Sequence, residues 1–323
     1  MEMNKEWEET IELLPEDLVL PLRKLSLQHQ KRIQEIRLRS QQPLAAFDGW
    51  KTQFISMDGR LLDRPESSVP VLTSQKLEEC FVRLCEYSVH SHEQELRRGF
   101  ITTPKGDRVG ICASAVLDRA GTLTYRDISS LNIRISRDVV GAADELICKV
   151  DPFQGGIIAG MPGSGKTTVL RDLARQLSSG ECGSFHKITI VDERFEISAM
   201  HRGSPRKNIG ICADVICGQR KDVAIEQAVR TLSPEIIFCD EVGTVGEVDE
   251  ITAGMCCGVK FIVSAHCGSK EELFRSLILQ KLMKTGAFGW VALLASPKEP
   301  SRIDDVVTQE DWQTELARRQ IVC

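Results

Sequence analysis

Gly160-Met161-Pro162-Gly163-Ser164-Gly165-Lys166-Thr167-Thr168 is the most informative segment of the chain. It fits the pattern G-x-x-x-x-G-K-[ST], with Gly160, Gly165, Lys166 and Thr167 in the fixed places. A loop that wraps a polyphosphate turns several backbone N–H groups inward, and its glycines allow backbone angles that a Cβ resists. Upstream, Gly156-Ile157-Ile158-Ala159 is a short apolar run suited to a buried parallel strand. Downstream, Val169, Leu170, Leu173, Ala174 and Leu177 fall on one helical face. Strand, glycine loop and helix therefore follow in the order a phosphate cradle needs, with the positive end of the helix aimed at the anion. The nine residues of the loop are the nucleotide-binding candidates; Lys166 is assigned to the β and γ phosphates and the Thr167 hydroxyl to magnesium.

The chain has 323 residues, which favours two domains. Its formal charge of -5, with acids and bases mixed along the chain, supplies no global field for nucleic acid, although a local basic groove is compatible with it. Aromatic residues make up only 5%, leaving few stacking platforms for single strands. The N-terminus M-E-M-N-K-E-W-E-E is acidic and has no apolar core, and no apolar run approaches the ~20 residues that span a bilayer. A cytoplasmic protein without direct membrane insertion is the expectation. The twelve cysteines include no C-x-x-C pair and no accompanying histidine cluster, so they are read as small, mostly buried, reduced thiols.

In chain order, residues 1 to about 34 are helix-prone, with Leu14, Leu18, Leu22 and Leu25 at helical spacing. E-I-R-L-R (35–39), P-L-A-A-F and K-T-Q-F-I read as strands, with a turn at Asp48-Gly49 and a loop over 63–70. Ser74 is the expected cap of a helix carrying Leu77, Phe81, Leu84 and Cys85, and a further helical turn or two ends at Gly99. Strand-like pattern returns from Phe100 to about Ile135, with turns at Lys105-Gly106 and Ala120-Gly121. This predicts a smaller α+β domain over 1–138. Residues 139–323 alternate strand and helix, predicting an α/β P-loop domain with a mostly parallel sheet. Its strands are placed at 156–159, 187–191, 236–239, 259–265 and 290–295. Asp222 opens one helix, and Ser269 with Glu272 forms a capping box for a long helix through Leu282.

I-I-F-C followed by Asp240-Glu241 puts an acid pair at the end of a predicted strand. Asp240 is the magnesium-shell candidate and Glu241 the candidate base that polarises the attacking water; solvated acids after a buried strand are the plainer alternative. V-D-E-R-F-E brings Asp192, Glu193 and Glu196 to the same carboxyl edge, where they either orient water or magnesium or form a salt-bridged loop with Arg194. His266 ends F-I-V-S-A-H and either contacts the γ-phosphate or attacking water, or is an ordinary hydrogen-bonded histidine. Arg171 is expected to face solvent or an acidic neighbour in the turn of Asp172.

This succession of phosphate loop, acidic box, Asp240-Glu241 and strand-ending histidine resembles the secretion and pilus-motor ATPases, hexameric rings of RecA-like fold. Within them the chain is similar to the stage III sporulation protein AA family, through E-I-R-L-R at 35–39, G-F-I-T-T-P-K-G-D-R-V-G-I at 99–111, N-I-R-I at 132–135, the phosphate loop and V-D-E-R-F-E-I. The similarity runs through nearly the whole chain.

The resemblance implies an ATP- and Mg2+-dependent hydrolase in the mother cell of an endospore former. It would form a homo-oligomer of hexamer type and energise or assemble the channel to the forespore through membrane partner proteins. It also implies that Glu193 of the acidic box and His266 belong to the active site. Two departures leave the base open between Glu193 and Glu241. Arg194 stands where pilus motors have proline after an E-D pair, and Asp240 where many carry glycine. Ring ATPases complete each site with arginines from a neighbour, and Arg134 and Arg137 are the candidates, ordinary surface or ladder arginines being the alternative. A RecA-like motor on nucleic acid and a nucleotide-gated assembly scaffold are the competing functions.

Overall fold

A computed structural model describes residues 4–117 and 123–321, and the chain divides into two units, Met1–Arg137 and Asp138–Cys323. The first unit begins with three short helices, α1 (Lys5–Ile11), α2 (Glu16–Arg23) and α3 (Leu27–Arg32). Asn4 and Ser26 cap α1 and α3 by accepting from Trp7 N and His29 N. Leu14, Leu18, Leu22 and Leu25 are all buried, as their spacing predicts. The strands β1 (Glu35–Arg39), β2 (Ala45–Phe47), β3 (Thr52–Ile55) and β4 (Leu61–Leu62) follow. Asp48 Oδ1 closes the turn between β2 and β3, accepting from Trp50 N and Lys51 N at 3.0 Å.

Helices α4 (Ser74–Leu84) and α5 (Glu93–Leu96) then lead to β5 (Phe100–Thr102), β6 (Arg108–Leu117) and β7 (Leu123–Arg134). The cap of α4 is Thr73, whose hydroxyl accepts from Lys76 N; Ser74 is the first helical residue. Among the described residues the strands form one antiparallel sheet in the order β4-β3-β2-β1-β7-β6-β5. The expected turn at Ala120-Gly121 lies outside the described residues.

The second unit contains α6 (Asp144–Lys149), β8 (Gly156–Gly160), α7 (Lys166–Ser178), β9 (Ile188–Asp192), β10 (Ala213–Cys217) and α8 (Lys221–Thr231). After these come β11 (Ile236–Cys239), α9 (Val245–Cys256), β12 (Lys260–His266), α10 (Lys270–Arg275), α11 (Leu277–Lys284), β13 (Trp290–Leu294), β14 (Ile303–Thr308) and α12 (Gln309–Ile321). The sheet runs β10-β9-β11-β12-β8-β13-β14, parallel throughout except for the antiparallel β14. All five residues of β8, four of β11 and five of β13 are buried, as expected where helices cover both faces. Ile158 and Ile190 pack with Leu170 and Leu173 of α7 on one face; Ile157 and Val191 pack with Val248 and Leu273 on the other.

Two elements depart from the sequence reading. The helix expected to run from Ser269 through Leu282 breaks at Ser276, whose backbone is extended at ψ 116 and whose hydroxyl caps α11 at Leu279 N. Ser269 does cap α10, but the Glu272 carboxylate accepts from Gly268 N, so the reciprocal bond of a capping box is made one residue earlier. The reciprocal pair occurs instead at Thr244 and Glu247, where α9 begins. Arg220, not Asp222, is the boundary residue of α8; Asp222 sits in its first turn.

Candidate phosphate and water-activation site

β8 delivers the chain to the carboxyl edge of the sheet, and the glycine loop turns it back into α7. Gly165 stands at φ 94, and a Cβ there would lie 2.6 Å from Ser301 Oγ and 2.7 Å from Ser301 N, so the position tolerates only glycine. Ser301 N in turn donates to Ser164 O at 2.8 Å, which ties the loop to the β13–β14 connection. A Cβ on Gly160 would meet Ser164 Oγ at 2.4 Å. The Ser164 hydroxyl is buried and bonded to none of the described residues. The first N–H groups of α7, from Lys166 to Thr168, have no intrahelical acceptors, because the ladder opens with Val169 N donating to Gly165 O. Loop, orphaned hydroxyl and free amides form a cradle suited to an anion.

Lys166 is buried, and its Nζ donates to the carbonyls of Gly160 and Met161 at 3.0 Å each. Burial pulls its ammonium below the ordinary lysine value, opposed by the negative charge of Asp240 and Glu241. Nζ also lies 3.3 Å from His266 Nδ1. Because an ammonium only donates, Nδ1 is the acceptor and the ring proton sits on Nε2, pointing at Glu241 Oε1 3.1 Å away. The register of β12 against β8, with His266 opposite Gly160, sets that ring beside the loop.

β11 places the acid pair. Asp240 Oδ2 accepts from the Thr167 hydroxyl at 2.6 Å, and Oδ1 accepts from the Ser264 hydroxyl and from Glu241 N at 3.1 Å. Ser264 Oγ also accepts from Glu241 N at 2.9 Å. Glu241 has φ 51, a left-handed conformation that residues with a Cβ seldom adopt, and its carbonyl is held by Lys221 Nζ at 2.6 Å. Lys221 is itself buried, 3.4 Å from Glu247 Oε1. The Glu241 carboxylate bonds His266 through one oxygen and Arg194 through the other. Beside it a cavity of about 10 Å³, room for roughly one water, is lined by Glu193, Arg194, Lys221, Asp240 and Glu241.

The acidic box behaves differently. Asp192 is buried, and its carboxylate accepts from Glu196 N, Ile197 N, Ser198 N and Ser198 Oγ, so it shapes its own loop. Among the described residues Arg194 pairs with Glu241 and not within the box. Glu193 lines the small cavity, and no hydrogen bond or ion pair among the described residues engages its carboxylate. Of the two surroundings expected for Arg171, solvent is excluded by its burial and an acidic neighbour is present, although it is Asp138, 3.8 Å from NH1; Nε and NH2 donate to the carbonyls of Ile197 and Glu196 at 2.6 Å, fastening α7 to the acidic loop. In the first unit, Arg134 lies 3.8 Å from Glu35 and is largely exposed, whereas Arg137 NH2 donates to the carbonyls of Gln30 and Ile33.

The sequence reading therefore names Lys166, Thr167, Asp240, Glu241 and His266, which the fold joins in one bonded chain. It misses Ser264 and Lys221, and it names Arg194 only as a partner within the acidic box, not as a partner of Glu241. Of these only Ser264 carries a signal, as the one polar residue inside the apolar run F-I-V-S-A-H. Thr167 and Asp240 converge as oxygen donors, the hard set that suits Mg2+.

The sheet and glycine loop have the fold of the P-loop NTPases, RecA-like with a mostly parallel sheet. The chain belongs to the sporulation stage III, protein AA family, whose model matches residues 5–312. It is 31% identical over 305 residues to stage III sporulation protein AA of Bacillus subtilis, covering 94% of this chain and 95% of that one. Among solved structures it is similar to the ATPase DotB of Legionella pneumophila, with a TM-score of 0.57 at 16% identity over 88% of this chain and 80% of that one. DotB of Yersinia pseudotuberculosis follows, with a TM-score of 0.55 at 15% identity over 91% and 75%. At such identities these two likenesses concern the fold. Among the described residues no helix is long and apolar enough to cross a membrane.

Proposed function

We propose that this chain is a ring-forming, Mg2+-dependent ATPase that energises or assembles the channel between mother cell and forespore. The observation that carries the reading is the continuous chain Lys166–His266–Glu241–Ser264–Asp240–Thr167, which links a phosphate cradle to a carboxylate beside a water-sized cavity. The loop from Gly160 to Thr168, Pro162 excepted, supplies backbone donors for the β and γ phosphates, and Lys166 adds a cation released from its carbonyl contacts. Thr167 and Asp240 would hold Mg2+, which supplies charge neutralisation across the phosphate oxygens.

Glu241 is the base. It takes a proton from water as the water oxygen bonds to the γ-phosphorus and the bond to the β-phosphate oxygen breaks, leaving ADP and phosphate. His266 orients it through the Nε2 proton. Glu193, adjacent and unpaired among the described residues, is the alternative base that the Glu241→Gln variant would reveal. Arg134, exposed at the end of β7, is the candidate for completing a neighbouring site in the ring, while the bonds of Arg137 to backbone carbonyls favour a structural role for it. Membership of the sporulation family supports placing it in the mother cell, at the membrane through partner proteins. The Lys166→Ala chain should lose ATP binding in a fluorescent-nucleotide titration while keeping its circular dichroism. Undiminished binding by that variant would refute the cradle.

A further inference from the structure

The residue after the Asp192-Glu193 pair is an arginine whose side chain is 57% exposed, yet its NH1 rests on Glu241 Oε2 at 2.5 Å. A long exposed side chain gives up rotamer freedom to hold one partner, so its backbone must be fixed for the contact to persist. Three anchors fix it. Asp192 gathers four donors from the segment 196–198. Arg171, on the helix of the phosphate loop, grips the carbonyls of Glu196 and Ile197. Phe195 is held at φ 60, with its ring 3.1 Å from where a Cβ on Gly218 would be. The loop presents Arg194 at the carboxyl edge of the sheet, between β9 and β11.

Both Glu241 oxygens are thereby engaged, Oε1 by His266 and Oε2 by a guanidinium. The carboxylate is aimed, but the oxygen next to Arg194 is held by a cation where a base must receive a proton. A terminal phosphate offers that guanidinium a more highly charged partner that it can bind through two N–H groups at once.

We infer that Arg194 is a γ-phosphate-responsive arginine supplied by the same chain. It holds Glu241 until ATP binds, then passes to the terminal phosphate and so frees Glu241 Oε2 to accept the water proton. This rests on the ATPase reading above. In the step itself the water oxygen bonds to the γ-phosphorus, the bridging bond to the β-phosphate breaks, and ADP keeps its electron pair. The water proton passes to Glu241, and Arg194 stays cationic against the transferred group.

The test compares the wild type with Arg194→Gln and Arg194→Lys by isothermal titration with Mg2+ and either ADP or ATPγS, alongside phosphate release from ATP. A phosphate-sensing arginine contributes to binding only where a terminal phosphate is present. Arg194→Gln should therefore hold ADP within about twofold of wild type, weaken ATPγS about tenfold and slow phosphate release by ~10³-fold. Arg194→Lys should recover part of both. The retained ADP affinity verifies that the variant is folded. An ATPγS-to-ADP affinity ratio equal to wild type, or faster phosphate release, overturns the role of Arg194 alone. A wild type that binds neither nucleotide overturns the nucleotide site and this inference with it.

Discussion

Ser264→Ala removes one hydroxyl from a fully buried strand position, and among the described residues that hydroxyl bonds only to the acid pair. The hydroxyl donates to Asp240 Oδ1 and accepts from Glu241 N at 2.9 Å, so it fixes the metal-shell carboxylate and the backbone of the base together. Without it, Glu241 N keeps only Asp240 Oδ1, at 3.1 Å. A hydrogen bond to a charged group contributes roughly 1.5–3 kcal/mol, and the partner left behind is buried. A loss of ~2 kcal/mol in a unit of this size corresponds to a Tm lower by about 4–8 °C in scanning calorimetry. Glu241 also sits in a strained left-handed conformation, which relaxes once its N–H loses this partner. Misaiming the base by an ångström costs ~10²-fold in phosphate release, while ADP affinity, set by Lys166 and the loop, stays within a few fold. A variant that melts within about 1 °C of wild type and hydrolyses ATP at full rate would refute the claim that Ser264 couples the two acids.

Gly165→Ala forces a Cβ to within 2.7 Å of the Ser301 backbone at φ 94. The strain, on the order of 1–3 kcal/mol, should abolish nucleotide binding before it unfolds the unit, as titration at 20 °C followed by urea melting would register. In the first unit, burial raises the Glu95 carboxyl, but bonds from His92 Nδ1 at 2.9 Å and Thr102 N at 3.2 Å outweigh it and hold the group below the ordinary glutamate value. A carboxyl lowered by folding stabilises at pH above its unfolded value and loses that contribution as pH falls through its folded value. The melting of the first unit should therefore decline on acidification below about pH 4.3, and Glu95→Gln should flatten this limb; an identical acid limb in the variant would contradict the assignment.

The sheet of the second unit was legible because its parallel strands are uninterrupted apolar runs, as in Ile157-Ile158-Ala159 and Ile236-Ile237-Phe238. The edge strands β10 and β14 were not, since each has exposed positions that break the run. The break at Ser276 was hidden because Leu273, Phe274, Leu279 and Leu282 keep burying a common face across it. Motif spacing found Lys166, Thr167 and the acid pair, whose roles are local to one loop and one strand end. Lys221 and Arg194 act on Glu241 from 20 and 47 residues away, and only the strand order β9-β11-β12 brings them to it. Spacing likewise proposed the acidic box as a unit; all three of its acids line the cavity, but the Asp192 carboxylate is taken up by donors of its own loop, whereas among the described residues no bond engages that of Glu193.

The central claim is that Glu241 activates water for ATP held by the glycine loop. Phosphate release by wild type and Glu241→Gln at equal bound ATP tests it most directly, with occupancy measured by titration in Mg2+. ATP affinity should be unchanged and release slower by ~10²–10⁴-fold. Wild-type release from Glu241→Gln at full occupancy would contradict it and move the base to Glu193.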